Sequence, residues 1–358
     1  MKGWLSVWTP LPVTAWLRRP TRPPPFPLAE PGCTLYEEGR DAVWHGIRAL
    51  GLGEGDEVLS PAYHAGPDVE AMVRAGIEVS FYAGRPNLEP DEDELQRIRG
   101  PRTRALYLVH YLGFPQDAQR WRRWCDDNGM LLIEDAAQAW LSERDGVPVG
   151  SFGDLALWSL YKMVPTPDGT VAVCSHPLSG PADAAGLRAD KLIHMHGAWL
   201  GQRCGGLRRL RPRDPEPFDA IAHFDLGDPD APPARTTRYL ARRLGGPEVA
   251  GARRDNYRQL LHELADHVPA PFDWLPEGAC PWFFPVESED RAGMLQFLAS
   301  RGVGAMAFWE PAHPALDHSD FPEAAHRRET AVALPVHHQL RPRDVFRIAA
   351  AASAWYRR

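Results

Sequence analysis

Residues 105–140 read ALYLVHYLGFPQDAQRWRRWCDDNGMLLIEDAAQAW, and their pattern decides the fold. Ala105 to His110 is a continuous apolar run of strand length. Ala118 to Asn128 has helical spacing and stops before Gly129, and Met130 to Glu134 is a second buried strand. Strands of this kind separated by helices of about ten residues imply βαβ units and a mainly parallel sheet.

The alternation continues on both sides. Upstream, Ala42 to Leu50 reads as a helix ended by Gly51, Glu57 to Ser60 as a strand and Val69 to Ala75 as a helix closed by Gly76. Ile77 to Tyr82 is the next strand and Asp91 to Ile98 a polar helix. Downstream, Leu155 to Leu160 and Val171 to Cys174 are strands, the second following the turn Pro167-Asp168-Gly169. The fold class is α/β. Residues 1–34 hold eight prolines and read as an extended arm. The expected organisation is this arm, a large domain over 35–211, a connection over 212–238 rich in Pro, Asp and Gly, and a smaller α+β domain over 239–358. In that last part Tyr239 to Leu264, Arg291 to Ser300 and Val345 to Tyr356 read as helices and Trp282 to Val286 as a strand.

The chain has 358 residues, 24% of them charged, with a formal net charge of −7. Collagen-like, coiled-coil and wholly disordered classes are excluded. No apolar stretch approaches the ~20 residues of a membrane-spanning helix, so no membrane partner is expected. Negative charge with dispersed arginines argues against nucleic acid, and the basic run Leu207 to Arg213 reads as a solvated loop or a patch facing another subunit. The five cysteines are widely spaced without a CxxC pair, which suggests a reducing cytoplasm and neither disulfides nor zinc. His194 and His196 diverge on a helix, with no carboxylate or cysteine to complete a metal site.

Only three of the 40 basic residues are lysines: Lys2, Lys162 and Lys191. Arginine cannot replace an amine that must lose its proton and attack a carbonyl, so each lysine is worth weighing. Open parallel sheets bind ligands beyond the carboxyl ends of their strands. Asp135, Ser159 and Lys162 follow such ends, and Gly39 starts the first helix, where free N–H groups favour an anion. A lysine, a carboxylate, a hydroxyl and a helix N-terminus are the set that pyridoxal phosphate (PLP) requires.

The stretch from Arg48 to Ser175 resembles the DegT/DnrJ/StrS aminotransferases, PLP enzymes of fold type I. The matching pieces are RALGLGEGDEVLSPAYH (48–64), LVHYLGFPQD (108–117), LLIEDAAQAW (131–140), VGSFGDLALWSLYK (149–162) and PDGTVAV (167–173). The resemblance implies an aspartate aminotransferase-like architecture, in which a mainly parallel seven-stranded sheet lies between helices beside a smaller C-terminal α+β domain. By motif, Asp135 would hold the pyridine nitrogen and Gln138 would sit beside the ring hydroxyl. Ser159, Gly39 and Arg40 would contact the phosphate, the last two in the place of a usual Ser-Gly-Thr. Lys162 would form the Schiff base and then move the substrate proton.

Three positions depart from the family pattern. The lysine usually lies where Val164 stands, the stacking aromatic where Ala65 stands, and a second glycine where Thr170 stands. His64 or Tyr63 would take over the stacking. The tryptophans, among them Trp121, Trp124, Trp282 and Trp309, read as core or interface residues, or as lining of an aromatic substrate pocket. The implied activity transfers an amino group from an amino-acid donor to a keto acceptor, a nucleotide keto-sugar or a natural-product intermediate, in a cytoplasmic homodimer with shared active sites. The alternatives are another PLP reaction (dehydration, elimination or condensation) and a non-catalytic homologue.

Overall fold

In the computed structural model, which describes residues 3–181, 185–204, 223–309 and 311–358, seven strands form one sheet. In chain order they are β1 (Thr34–Tyr36), β2 (Glu57–Pro61), β3 (Glu78–Tyr82), β4 (Thr103–Val109), β5 (Leu131–Asp135), β6 (Leu155–Ser159) and β7 (Thr170–Cys174). Across the sheet the order is β1-β7-β6-β5-β4-β2-β3. The pairs from β6 to β3 are parallel, whereas β7 runs antiparallel to both β6 and β1. The mainly parallel seven-stranded sheet is therefore present, with one short edge strand that the sequence reading did not separate from the arm.

Both faces of the sheet are covered, which is why its central strands read as unbroken apolar runs. On β4, Leu106 and Leu108 join Trp121 and Trp124 of the helix α4 (Ala118–Asp127), while Ala105, Tyr107 and Val109 point to the opposite core. Trp121 and Trp124 are thus core residues. The opposite face packs on α1 (Gly39–Ala49), which lies against β6, β7 and α2 (Pro67–Arg74). The period-two alternation puts Tyr107, Val109 and Asp135 on this second face.

The short α5 (Leu160–Met163) follows β6 directly, and α6 (Ala189–Arg203) follows β7. The stretch expected as one helix from Tyr239 is two, α7 (Arg235–Leu244) and α8 (Pro247–Leu264), because Gly245 and Gly246 interrupt it and Pro247 starts the second. The C-terminal part is a three-stranded antiparallel sheet of β8 (Phe283–Glu287), β10 (Ala331–Pro335) and β9 (Met306–Ala307), with α9 (Arg291–Ser300), α10 (Pro322–Thr330) and α11 (Pro342–Tyr356).

The N-terminal arm is extended but tied down. Leu5, Leu11 and Ala15 are fully buried. Leu5 bridges Val303, donating its N–H to Gly302 O (2.9 Å) and accepting from Gly304 N (2.7 Å). The ring of His196 accepts from Trp16 Nε1 (3.0 Å) and donates through Nδ1 to Leu11 O (2.9 Å). His337 holds Ser6 O at 3.1 Å, so both imidazoles serve the arm. Lys2 and the run Leu207 to Arg213 lie outside the described residues, as does residues 212–222 of the expected connection. Among the described residues no cluster of His, Cys, Asp and Glu could hold a metal ion, and no helix is long and apolar enough to cross a membrane.

Candidate active site

Beyond the carboxyl ends of β4, β5 and β6 lies a cavity of about 340 Å³. Asp135, Gln138, Ser159, Gly39, Arg40, His64 and Lys162 all line it. Parallel strands end together, so residues distant in sequence converge where the chain turns back into helices.

Asp135 is held from two sides. Tyr107 Oη donates to Oδ2 (3.0 Å) and the Ala137 N–H to Oδ1 (2.8 Å). Burial pushes its carboxyl up, the Asp68 carboxylate pushes it further, and Lys162 with the two donors pulls it back. Lys162 stands on α5, its ammonium 4.8 Å from the centre of the Trp282 ring. Burial lowers its pKa, opposed by Asp135 and Asp68. Val164, in the position where the lysine is usual, is fully buried and does not reach the cavity.

At the other end of the cavity Ser159 Oγ and Thr170 Oγ1 lie 3.0 Å apart beside the N-terminus of α1. A Cβ added to Gly39 would sit 3.7 Å from the serine oxygen and 3.9 Å from the threonine oxygen, ordinary contact distances, so the helix start lies directly beside this hydroxyl pair. Arg40 lines this end, its guanidinium paired with Glu38 and bonded to the carbonyls of His223 and Asp225. Gln138 accepts the Leu112 N–H at 2.9 Å, which fixes its amide.

His64 and Tyr63 part company. His64 reaches the cavity, stacked on Phe81 with ring centres 5.2 Å apart, and burial lowers its pKa to about 3, so it is neutral. Tyr63 does not line the cavity; successive residues of an extended segment point apart, and its ring lies against Tyr111 and Trp309.

The motif around Asp135 is largely framework. Glu134 is fully buried and accepts from Gly150 N (2.9 Å), Phe152 N (2.7 Å) and the His110 ring (3.0 Å). His110 Nδ1 in turn accepts the Gln116 N–H, so the ring is neutral with its proton on Nε2. Gly150 has φ +87° and lies so close to Trp158 that a Cβ would fall 2.0 Å from the indole. The strand-end carboxylate pair thus divides its work: Glu134 clasps the loop at 150–152, and Asp135 faces the cavity.

Sequence reasoning missed Asp68, Trp8 and Tyr161, while Trp282 and Trp309 take the pocket-lining alternative it had left open. Asp68, near the start of α2, brings a second carboxylate to the cavity, anchored by the Gly66 N–H at 2.9 Å. Trp8 of the arm, Tyr161, Trp282 and Trp309 form an aromatic wall. Asp68 has a testable consequence. Its charge stabilises the ammonium of Lys162, so Asp68→Asn shifts deprotonation of that amine to lower pH. The check is the pH profile of Lys162 modification by a small amine-reactive acylating reagent, read by peptide mass spectrometry; an unchanged or alkaline-shifted profile refutes it.

Residues 33–171 match the model of the DegT/DnrJ/EryC1/StrS aminotransferase family. A relative, dTDP-4-dehydro-2,3,6-trideoxy-D-glucose 4-aminotransferase of Saccharopolyspora spinosa, is 34% identical over 146 residues, 40% of this chain and 38% of that one. The chain therefore spans about two fifths of that relative's length. A UDP-N-acetyl-3-dehydro-alpha-D-glucosamine 3-aminotransferase of Acidithiobacillus ferrooxidans is 26% identical over 344 residues, 89% of this chain and 82% of its own. The fold is that of the aminotransferase TlmJ from Streptoalloteichus hindustanus, with a TM-score of 0.67 at 24% identity over 91% of this chain and 86% of that one. Gly39, Asp135, Ser159 and Lys162 all lie within the stretch 33–171 that matches this family model.

Proposed function

We propose that the chain is a PLP-dependent aminotransferase that moves an amino group from an amino-acid donor to a keto acceptor of the nucleotide-sugar kind, with Lys162 as its reactive amine. The observation that carries this reading is that Asp135 and Lys162 share one cavity with the Ser159 hydroxyl and with Gly39 at the N-terminus of α1. The names of the two relatives, both acting on nucleotide-linked keto-sugars, support the acceptor class.

The residues present fit the cofactor. Asp135 would hold the ring nitrogen, and Ser159, Gly39 and Arg40 would hold the phosphate, with Thr170 bonded to Ser159 behind them. When bound, PLP supplies an electron sink for charge developing at the substrate carbon. The protein's own groups do the rest. Tyr107 and Ala137 keep the Asp135 carboxylate oriented and offset the burial that favours its protonated form. Burial favours the neutral amine of Lys162, the form that can attack a carbonyl or accept a proton. Glu38 beside Arg40 lowers the positive charge at the phosphate end, and the hydroxyls and helix N–H groups take a larger share there. The reading includes a cytoplasmic homodimer with shared active sites.

The test is spectroscopic. Purified protein mixed with PLP is expected to turn yellow, and adding L-glutamate or L-glutamine without acceptor is expected to bleach the band as the amino group moves to the cofactor. A band that forms and persists with both donors favours dehydration, elimination or condensation. Absence of the band overturns the catalytic reading.

A further inference from the structure

The arm brings an aromatic side chain into the cavity from the far end of the sequence. Trp8 is 40% exposed although the residues on both sides of it are bound. Its ring stands 5.8 Å from Trp282, 5.7 Å from Phe283 and 6.3 Å from Tyr161, centre to centre. Upstream, Ser6 O is held by His337 and Ser6 Oγ accepts the Trp8 N–H at 3.1 Å. Downstream, Thr9 Oγ1 accepts from the fully buried Arg253 (3.0 Å) and Leu11 N donates to Met195 O (3.2 Å). An exposed indole fixed at both ends of its segment is a wall of the cavity, since the backbone has little freedom to carry it away.

A second indole belongs to the same lining. Trp309, at φ +54°, stacks on Phe308 with centres 4.5 Å apart and also lines the cavity. A non-glycine residue in the left-handed region is kept there only when its surroundings demand it. Two indoles thus line the cavity, one from the arm and one from the loop after β9, linked through the rings of Trp282 and Phe308.

We propose that Trp8 is a specificity-determining residue that stacks on the apolar face of an uncharged ring in the acceptor. The inference rests on reading this cavity as the catalytic site. The shared chemistry is a ring face against an indole, and the ring is either saturated, with its C–H bonds on the aromatic surface, or aromatic itself.

Calorimetric titration of the full chain loaded with PLP, which carries no amino group to transfer, tests the contact without turnover. The probes are scyllo-inosose as the saturated ring ketone, benzaldehyde as the aromatic carbonyl and dihydroxyacetone as the open-chain control. The wild type is expected to bind one of the two rings at least about tenfold more tightly than dihydroxyacetone, and Trp8→Ala to remove that preference. Trp8→Phe is expected to restore most of it, and the ring that loses affinity identifies the acceptor type. The proposal is overturned if the wild type shows no preference for either ring, or if Trp8→Ala binds both as the wild type does. Failure to take up PLP or to bleach with donor counts against the catalytic reading instead, and the same titration of cofactor-free chain still reads the stacking.

Discussion

Replacing Lys162 by arginine or alanine is expected to abolish borohydride-trapped incorporation of PLP and to lower amino transfer by a factor on the order of 10⁴ or more. Among the described residues Lys162 is the one lysine in the cavity; Lys191 is exposed on α6, remote from the lining. Arginine preserves charge and length but carries a delocalised guanidinium that stays protonated and forms no such bond. Lys162→Arg therefore separates the need for a nucleophilic amine from the need for a cation. Peptide mapping after reduction of the wild type is expected to place the label on Lys162. A label on Lys191, or equal labelling of the wild type and Lys162→Ala, refutes the assignment.

The same experiment settles a shift of register along the chain. Lysine stands two residues earlier here than is usual, and the structure gives a reason that the change is tolerable. α5 is a single turn entered from the carboxyl end of β6, with Ser159 as its cap residue. Tyr161 and Lys162 in that turn line the cavity, whereas Val164, already past the turn and in extended backbone, is packed into the core.

Buried parallel strands were legible in the sequence because their apolar runs are continuous and their helices end at glycine, as at Gly51, Gly76 and Gly129. β1 and β9 were not, since three- and two-residue strands leave no pattern and are defined by the ladder they join. The break between α7 and α8 was marked by Gly245-Gly246-Pro247 and passed over because the apolar spacing continues on both sides. In the site, Asp135, Ser159 and Lys162 were visible because each follows a strand end. Asp68 and Trp8 were not. An acidic residue early in a helix is an ordinary favourable choice, and an arm tryptophan gains its role only from what the arm packs against.

The arm's placement depends on one buried cation. Arg253 on α8 is fully buried and donates to four acceptors: Pro281 O (2.9 Å), Trp282 O (3.1 Å), Met163 O (2.7 Å) and Thr9 Oγ1 (3.0 Å). Burial lowers its pKa to about 10, so it stays charged at neutral pH. The acceptors belong to three separate segments, each next to or within the cavity lining: Thr9 follows Trp8, Met163 follows Lys162, and Trp282 is itself a wall. Arg253→Met keeps the length and apolar stem but leaves these acceptors without a donor, and is expected to cost about 2–4 kcal/mol. The measurement is the urea midpoint, which falls while the slope stays near that of the wild type. Arg253→Lys is not expected to rescue it, because one ammonium on a flexible stem cannot reproduce the planar fork that spans all four. Because the arm loses its tie at Thr9, cleavage by trypsin after Arg18 is expected to accelerate in both variants. A midpoint and a cleavage rate equal to those of the wild type would show that the three segments hold their positions without the guanidinium, and that Trp8 is placed by the arm's other contacts alone.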